Sequence, residues 1–96
     1  MRRDEVLEKL RAHYAEIEQM GVKNLYLFGS TARDEARATS DVDLLVDFQE
    51  PLTLKKYANL YYYLEDLFGY PIDLVTRGGL HERIRPNVEK EAILVA

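Results

Sequence analysis

Leu25-Tyr26-Leu27-Phe28-Gly29-Ser30-Thr31-Ala32-Arg33, then six residues, then Ser40-Asp41-Val42-Asp43-Leu44-Leu45-Val46 is the stretch on which the reading of this chain turns. The first apolar run stops on Gly29-Ser30, which reads as a buried strand leading into a sharp turn. The second run carries Asp41 and Asp43 at i and i+2, so both carboxylates point to one side of a strand. Like charges held that close repel and raise each other's pKa unless something positive sits between them. A divalent metal is the usual answer. Glycine ahead of serine lets backbone N–H groups come close to a phosphate.

Working outward, residues 4–19 read as one helix, because Val6, Leu7, Leu10, Tyr14 and Ile17 recur at three- and four-residue intervals. Asp4 is its expected N-cap and Gly21 its stop. Asn24–Phe28 is the first strand, and Ser30 is expected to cap a short helix from Thr31 to about Ala36. Asp41–Phe48 is the second strand, with Val42, Leu44 and Val46 on one side and Asp41, Asp43, Leu45 and Asp47 on the other. Thr53 is expected to cap a long helix to about Phe68, closed by Gly69 and Pro71. Ile72–Val75 is a third strand. Gly78-Gly79 open a mostly helical last segment that Pro86 divides, and Ile93–Val95 forms either a closing strand or a packed helix end. The order α-β-α-β-α-β-α predicts an α/β fold, a small mixed sheet with flanking helices.

The chain has 96 residues, enough for one core, and reads as a single domain over residues 1–96. Hydrophobic residues at 47% and charged ones at 31% are ordinary for a globular protein. No apolar run approaches the ~18 residues that a membrane span needs. Met1-Arg2-Arg3-Asp4-Glu5 leads into an amphipathic helix, which argues against a signal peptide. Zero cysteines exclude a thiolate metal site and fit a cytoplasmic home. The net charge of −4 argues against a general nucleic-acid binder. Arg77, Arg83, Arg85 and Lys90, with His81 among them, form a basic cluster that either faces phosphates or an acidic partner, or is simply solvated.

If the third strand lies beside the second, Asp73 can bring a third carboxylate to Asp41 and Asp43. Three hard oxygen donors suit magnesium or manganese rather than zinc. Two such ions would clamp the attacking and leaving oxygens of an in-line phosphoryl displacement. On the phosphate side, Gly29 permits close approach and Ser30 sits at a helix start, where free N–H groups favour an anion.

Gly29-Ser30, ten residues, Asp41-Val42-Asp43 and a later strand Asp73 together resemble the nucleotidyltransferase superfamily that includes DNA polymerase beta. The fuller form, Gly29 to Arg33 through Ser40 to Leu44, is similar to its minimal nucleotidyltransferase branch. The similarity extends over nearly the whole chain, and every residue of the pattern is present. It implies transfer of a nucleoside monophosphate, AMP from ATP, to a hydroxyl, with pyrophosphate released and two magnesium ions engaged. By the same resemblance Asp41 and Asp43 ligate both metals, and Asp73 ligates one and helps deprotonate the acceptor. Ser30 and the Gly29 backbone would hold the β- and γ-phosphates. Minimal members are commonly encoded beside a small helical HEPN-domain toxin, which they neutralise as antitoxins, some by adenylylating a tyrosine on it.

Two residues keep alternative readings. Arg33 either reaches the triphosphate or braces the loop by pairing with Asp41 or Glu35. Ser40 either hydrogen-bonds the turn before the second strand or meets a water of the metal site. Asp47 lies about 13 Å along the strand from Asp43, too far for a shared ion, and is expected to be exposed. Tyr57 and Tyr61 fall on the apolar stripe of the long helix and read as core. Tyr62 and Tyr63 fall off it and read as exposed, available to a partner, while His13 and His81 read as surface. The small size leaves the acceptor to be brought by a partner or by self-association.

Overall fold

A computed structural model describes residues 2–35, 41–69, 71–76 and 90–95. The elements run α1 (Arg3–Ala12), α2 (Tyr14–Gln19), β1 (Val22–Phe28), α3 (Gly29–Ala32), β2 (Val42–Phe48), α4 (Leu54–Phe68), β3 (Ile72–Thr76) and β4 (Ile93–Leu94). The sheet has the order β3-β2-β1-β4. Its β1–β2 and β1–β4 pairs are antiparallel and its β2–β3 pair is parallel, so the sheet is mixed, as predicted. Alternation sorts each strand between two faces. Leu25, Leu27, Val42, Leu44, Val46 and Leu74 face a core completed by residues of α1, α2 and α4. Phe28 and Leu45 are buried on the opposite face with Tyr26, Val75 and Ala92 around them. Among the described residues no helix is long and apolar enough to cross a membrane.

The first helix is broken where continuity was predicted. At His13 the ring Nδ1 donates to the Lys9 carbonyl at 2.9 Å, the acceptor that its own backbone N–H would use in a continuous helix. The His13 N–H turns instead to the Leu10 carbonyl at 3.2 Å, and α2 starts afresh. His13 is therefore half-buried rather than a surface residue. The N-cap of α1 is Arg2, not Asp4, which lies in the first turn. Arg11 clamps the far end of the chain, its Nε donating to the Val95 carbonyl at 2.5 Å. That contact secures β4 as the closing strand.

Helix α4 matches its sequence. The Thr53 hydroxyl accepts the Lys56 N–H at 3.1 Å, and Gly69 closes the helix in the left-handed conformation with φ 65°. Leu60, Leu64 and Phe68 are buried along one stripe. Tyr63 packs against the core, contrary to the reading as exposed, because it stands three residues from Leu60 and four from Leu67 on the same side. Tyr62 is 63% exposed and meets Tyr61 edge-on at 5.5 Å. Asp47 is half-buried, not exposed: it lines a groove of about 450 Å³ with Lys23, Phe48 and Thr76. Tyr70, the helical segment opened by Gly78-Gly79, Pro86, and Arg77, His81, Arg83 and Arg85 of the basic cluster lie outside the described residues, whereas Lys90 is exposed.

Candidate active site

Strand pairing alone assembles most of the predicted site. The antiparallel register places Phe28 opposite Asp43, and the parallel register places Asp43 opposite Asp73. The end of β1 and the beginnings of β2 and β3 thus meet at one end of the sheet. Gly29 is the next residue after Phe28, so the turn it makes passes against Asp43. A Cβ on Gly29 would stand 2.2 Å from Asp43 Oδ2, and the backbone there has φ 73°. Close approach and a left-handed backbone both demand glycine at this position.

Asp43 is half-buried, while Asp41, just before β2, and Asp73 are exposed. Its pKa is pushed up to about 6, first by burial, then by the charges of Asp73 and Asp41 and by a hydrogen bond with Asp73; Arg33 acts weakly in the opposite sense. A cation placed among these carboxylates would relieve the repulsion that raises the Asp43 pKa.

Ser30 is the second residue of α3, not its cap: the N-cap is Phe28, in extended conformation. Gly29 starts the helix directly, and α3 ends at Ala32 rather than near Ala36. Thr31 and Ala32 are buried and anchor this single turn on the sheet, leaving Ser30 half-buried. The turn closes on itself, with the Glu35 N–H donating to the Ser30 carbonyl at 2.8 Å and the Arg33 N–H to the Gly29 carbonyl at 3.2 Å. Arg33 is exposed and braces the loop. Its Nε donates to Glu35 at 3.1 Å and its Nη1 to Glu91 at 2.9 Å. Asp41 is not its partner in these ion pairs. Ser40 lies outside the described residues.

The structure adds three residues that the sequence did not mark. Glu91 reaches Arg33 from the segment before β4, a pairing that no local spacing signals. Tyr57, read only as core, donates its hydroxyl to the Leu74 carbonyl, next to Asp73. The Tyr57 hydroxyl pKa is raised, by burial first and then by the Asp73 charge. Asp34 has φ 59° and ties the loop to α1; aspartate's tolerance of the left-handed region is the one available clue.

As the side chains stand, no group of three His, Cys, Asp or Glu among the described residues is disposed to hold a metal ion. The donor set nevertheless fits magnesium: hard oxygens only, two of them in register, and a raised Asp43 pKa that a cation would relieve. The groove beside Asp47 lies toward the opposite end of β2, about 13 Å along the strand from Asp43, and includes none of the motif residues.

The chain matches the model of the nucleotidyltransferase domain family over residues 4–95. It is 39% identical over 93 residues to a Methanocaldococcus jannaschii protein provisionally named a protein adenylyltransferase, with 95% of each chain covered. The protein adenylyltransferase MntA of Thermococcus cleftensis is 42% identical over 93 residues, covering 96% of this chain and 94% of that one. A solved structure described as a candidate minimal nucleotidyltransferase superposes with a TM-score of 0.84 at 40% identity, over 97% of this chain and 95% of its own. A toxin–antitoxin structure with AMP-PNP has the same fold, with a TM-score of 0.68 at 19% identity, over 100% of this chain and 73% of that one.

Proposed function

The chain belongs to the nucleotidyltransferase domain family, and from that membership we propose that it transfers AMP from ATP to a hydroxyl of a protein partner. The acceptor in this proposal is a tyrosine of a HEPN-type toxin, and the chain acts as its antitoxin in the cytoplasm, where ATP is available. The observation that carries the reading is Asp43, packed on Gly29 and in register with Asp73. It joins the phosphate turn to the carboxylates in a single contact. The names of the relatives support a protein acceptor.

Asp41, Asp43 and Asp73 would hold the magnesium ions, which supply Lewis-acid stabilisation of the charge that builds on the transferred phosphate. Gly29 and Ser30 bind the β- and γ-phosphates through backbone N–H groups and the serine hydroxyl. Asp73, exposed at the strand edge, takes the proton of the acceptor hydroxyl. The acceptor oxygen bonds to the α-phosphorus as the bond to the bridging oxygen breaks, and pyrophosphate leaves with that electron pair. Arg33, held by Glu35 and Glu91, lends its positive charge to the site, since its field lowers the Asp43 pKa. Ser40 belongs to the proposed nucleotide-binding set on the sequence pattern alone.

The test is label transfer. The chain is incubated with magnesium, α-labelled ATP and a HEPN-type partner, and label is sought on the partner. Label that disappears with Asp43→Ala supports the reading. Toxin neutralisation that survives Asp41→Ala and Asp43→Ala together would establish an antitoxin acting by contact alone. Label on a small molecule in place of protein would establish a small-molecule nucleotidyltransferase instead.

A further inference from the structure

The one-turn helix α3 cannot hold its own shape, because an isolated turn is far below the length at which a helix sustains itself. Its N-terminal end rests on β1. Its C-terminal end runs through Arg33 into Asp34, whose backbone is left-handed with φ 59°. There the Asp34 N–H donates to the Thr31 carbonyl at 3.1 Å, and the side chain reaches away from the loop. Asp34 Oδ1 accepts the backbone N–H of Arg3 at 3.2 Å across 31 residues of sequence, and Oδ2 lies 3.7 Å from the Arg2 guanidinium. Arg3 is the first residue of α1, so its N–H has no acceptor within the helix. A carboxylate at that end also meets the positive pole of the helix. In agreement, the Asp34 pKa is lowered, chiefly by the Arg3 hydrogen bond.

We propose that Asp34 is a positioning residue for nucleotide binding: it hooks the turn after Gly29-Ser30 to the first turn of α1, and so holds the phosphate-binding loop in its binding shape. This inference rests on the nucleotide reading of Gly29 and Ser30 given above. The first residues of the chain thereby contribute to the affinity for ATP through Asp34 alone.

Three substitutions separate the hook from the backbone. Asp34→Gly keeps the left-handed conformation and removes the carboxylate. Asp34→Asn keeps one acceptor oxygen and tolerates the same backbone. Arg3→Pro deletes the donated N–H, together with a guanidinium whose own ion pair is to Asp4, at a helix position that favours proline; Arg2 before it is already extended, with φ −81° and ψ 158°. Asp34→Gly and Arg3→Pro should each raise KM for ATP about fivefold with kcat within about twofold, the scale of one partly exposed charge-assisted hydrogen bond. The double variant should be no worse than either single one, and Asp34→Asn should restore most of the affinity. In the nucleotide-free chain, amide exchange across Ser30 to Glu35 should accelerate in both single variants. Unchanged exchange, additive effects on KM, or a fall in kcat at constant KM would overturn the hook. A wild-type chain that binds no ATP by calorimetry would instead sink the nucleotide reading, while the exchange result still decides whether the hook exists.

Discussion

Replacing Asp43 by asparagine should stabilise the metal-free protein while abolishing its activity. The Asp43 carboxyl sits half-buried between Asp73 and Asp41, and its pKa is raised from 3.8 to about 6. At 1.36 kcal/mol per pH unit this displacement corresponds to about 3 kcal/mol. Solvent reaching the half-exposed carboxyl screens much of that, leaving roughly 1–1.5 kcal/mol. The sign follows from proton linkage. The folded state keeps its proton to higher pH than the unfolded chain, so the contribution is complete below about 3.8 and is lost as pH rises through about 6. Wild-type stability should therefore fall across this window relative to Asp43→Asn, which carries no titrating group at this position. Above pH 7 the variant should melt higher by roughly 4–12 °C, given the ~4–8 °C per kcal/mol expected for a domain of this size. Thermal unfolding followed by circular dichroism from pH 4 to 8.5, with a chelator present, makes the comparison. A variant that melts below wild type at pH 8, or a difference that does not change with pH, would refute the account of Asp43 as a strained carboxylate.

Gly29→Ala should cost at least roughly 1–2 kcal/mol from the left-handed backbone alone, and the 2.2 Å approach to Asp43 adds to it; a lowered melting temperature together with lost ATP binding by calorimetry is the expected pair of results. Tyr57→Phe removes the hydroxyl that the Leu74 carbonyl accepts from, so unfolding in urea should show a loss of about 1 kcal/mol, and label transfer should slow because the strand carrying Asp73 is less firmly held. Thr53→Ala deletes the cap of α4 and should cost about 1 kcal/mol with label transfer unchanged; loss of transfer there would mean that α4 reports on the site more directly than its packing implies.

The candidate site is legible in the sequence where it rests on strands. Alternation along the sequence places Asp43 and Leu45 on the side of β2 opposite Val42, Leu44 and Val46, and the same side of β3 carries Asp73. What sequence could not give was contact between remote segments. The pairing of Arg33 with Glu91 and the reach of Asp34 to Arg3 span 58 and 31 residues and follow no local period. Helix ends were equally hard to place. At His13 a side chain outcompetes a backbone N–H for one carbonyl, an event that periodicity does not register. Ser30 looked like a cap because serine favours that position, but Gly29 starts the helix itself and leaves the serine hydroxyl uncommitted to capping.

The central claim is that the carboxylates around Asp43 and the turn at Gly29-Ser30 form one site for a divalent cation and a triphosphate. Anomalous diffraction from crystals grown with manganese and a non-hydrolysable ATP analogue tests it most directly. The account predicts anomalous density among Asp41, Asp43 and Asp73, with the analogue's β- and γ-phosphates against the Gly29 and Ser30 backbone. Bound nucleotide at any other place, or manganese that ignores Asp43, would contradict it.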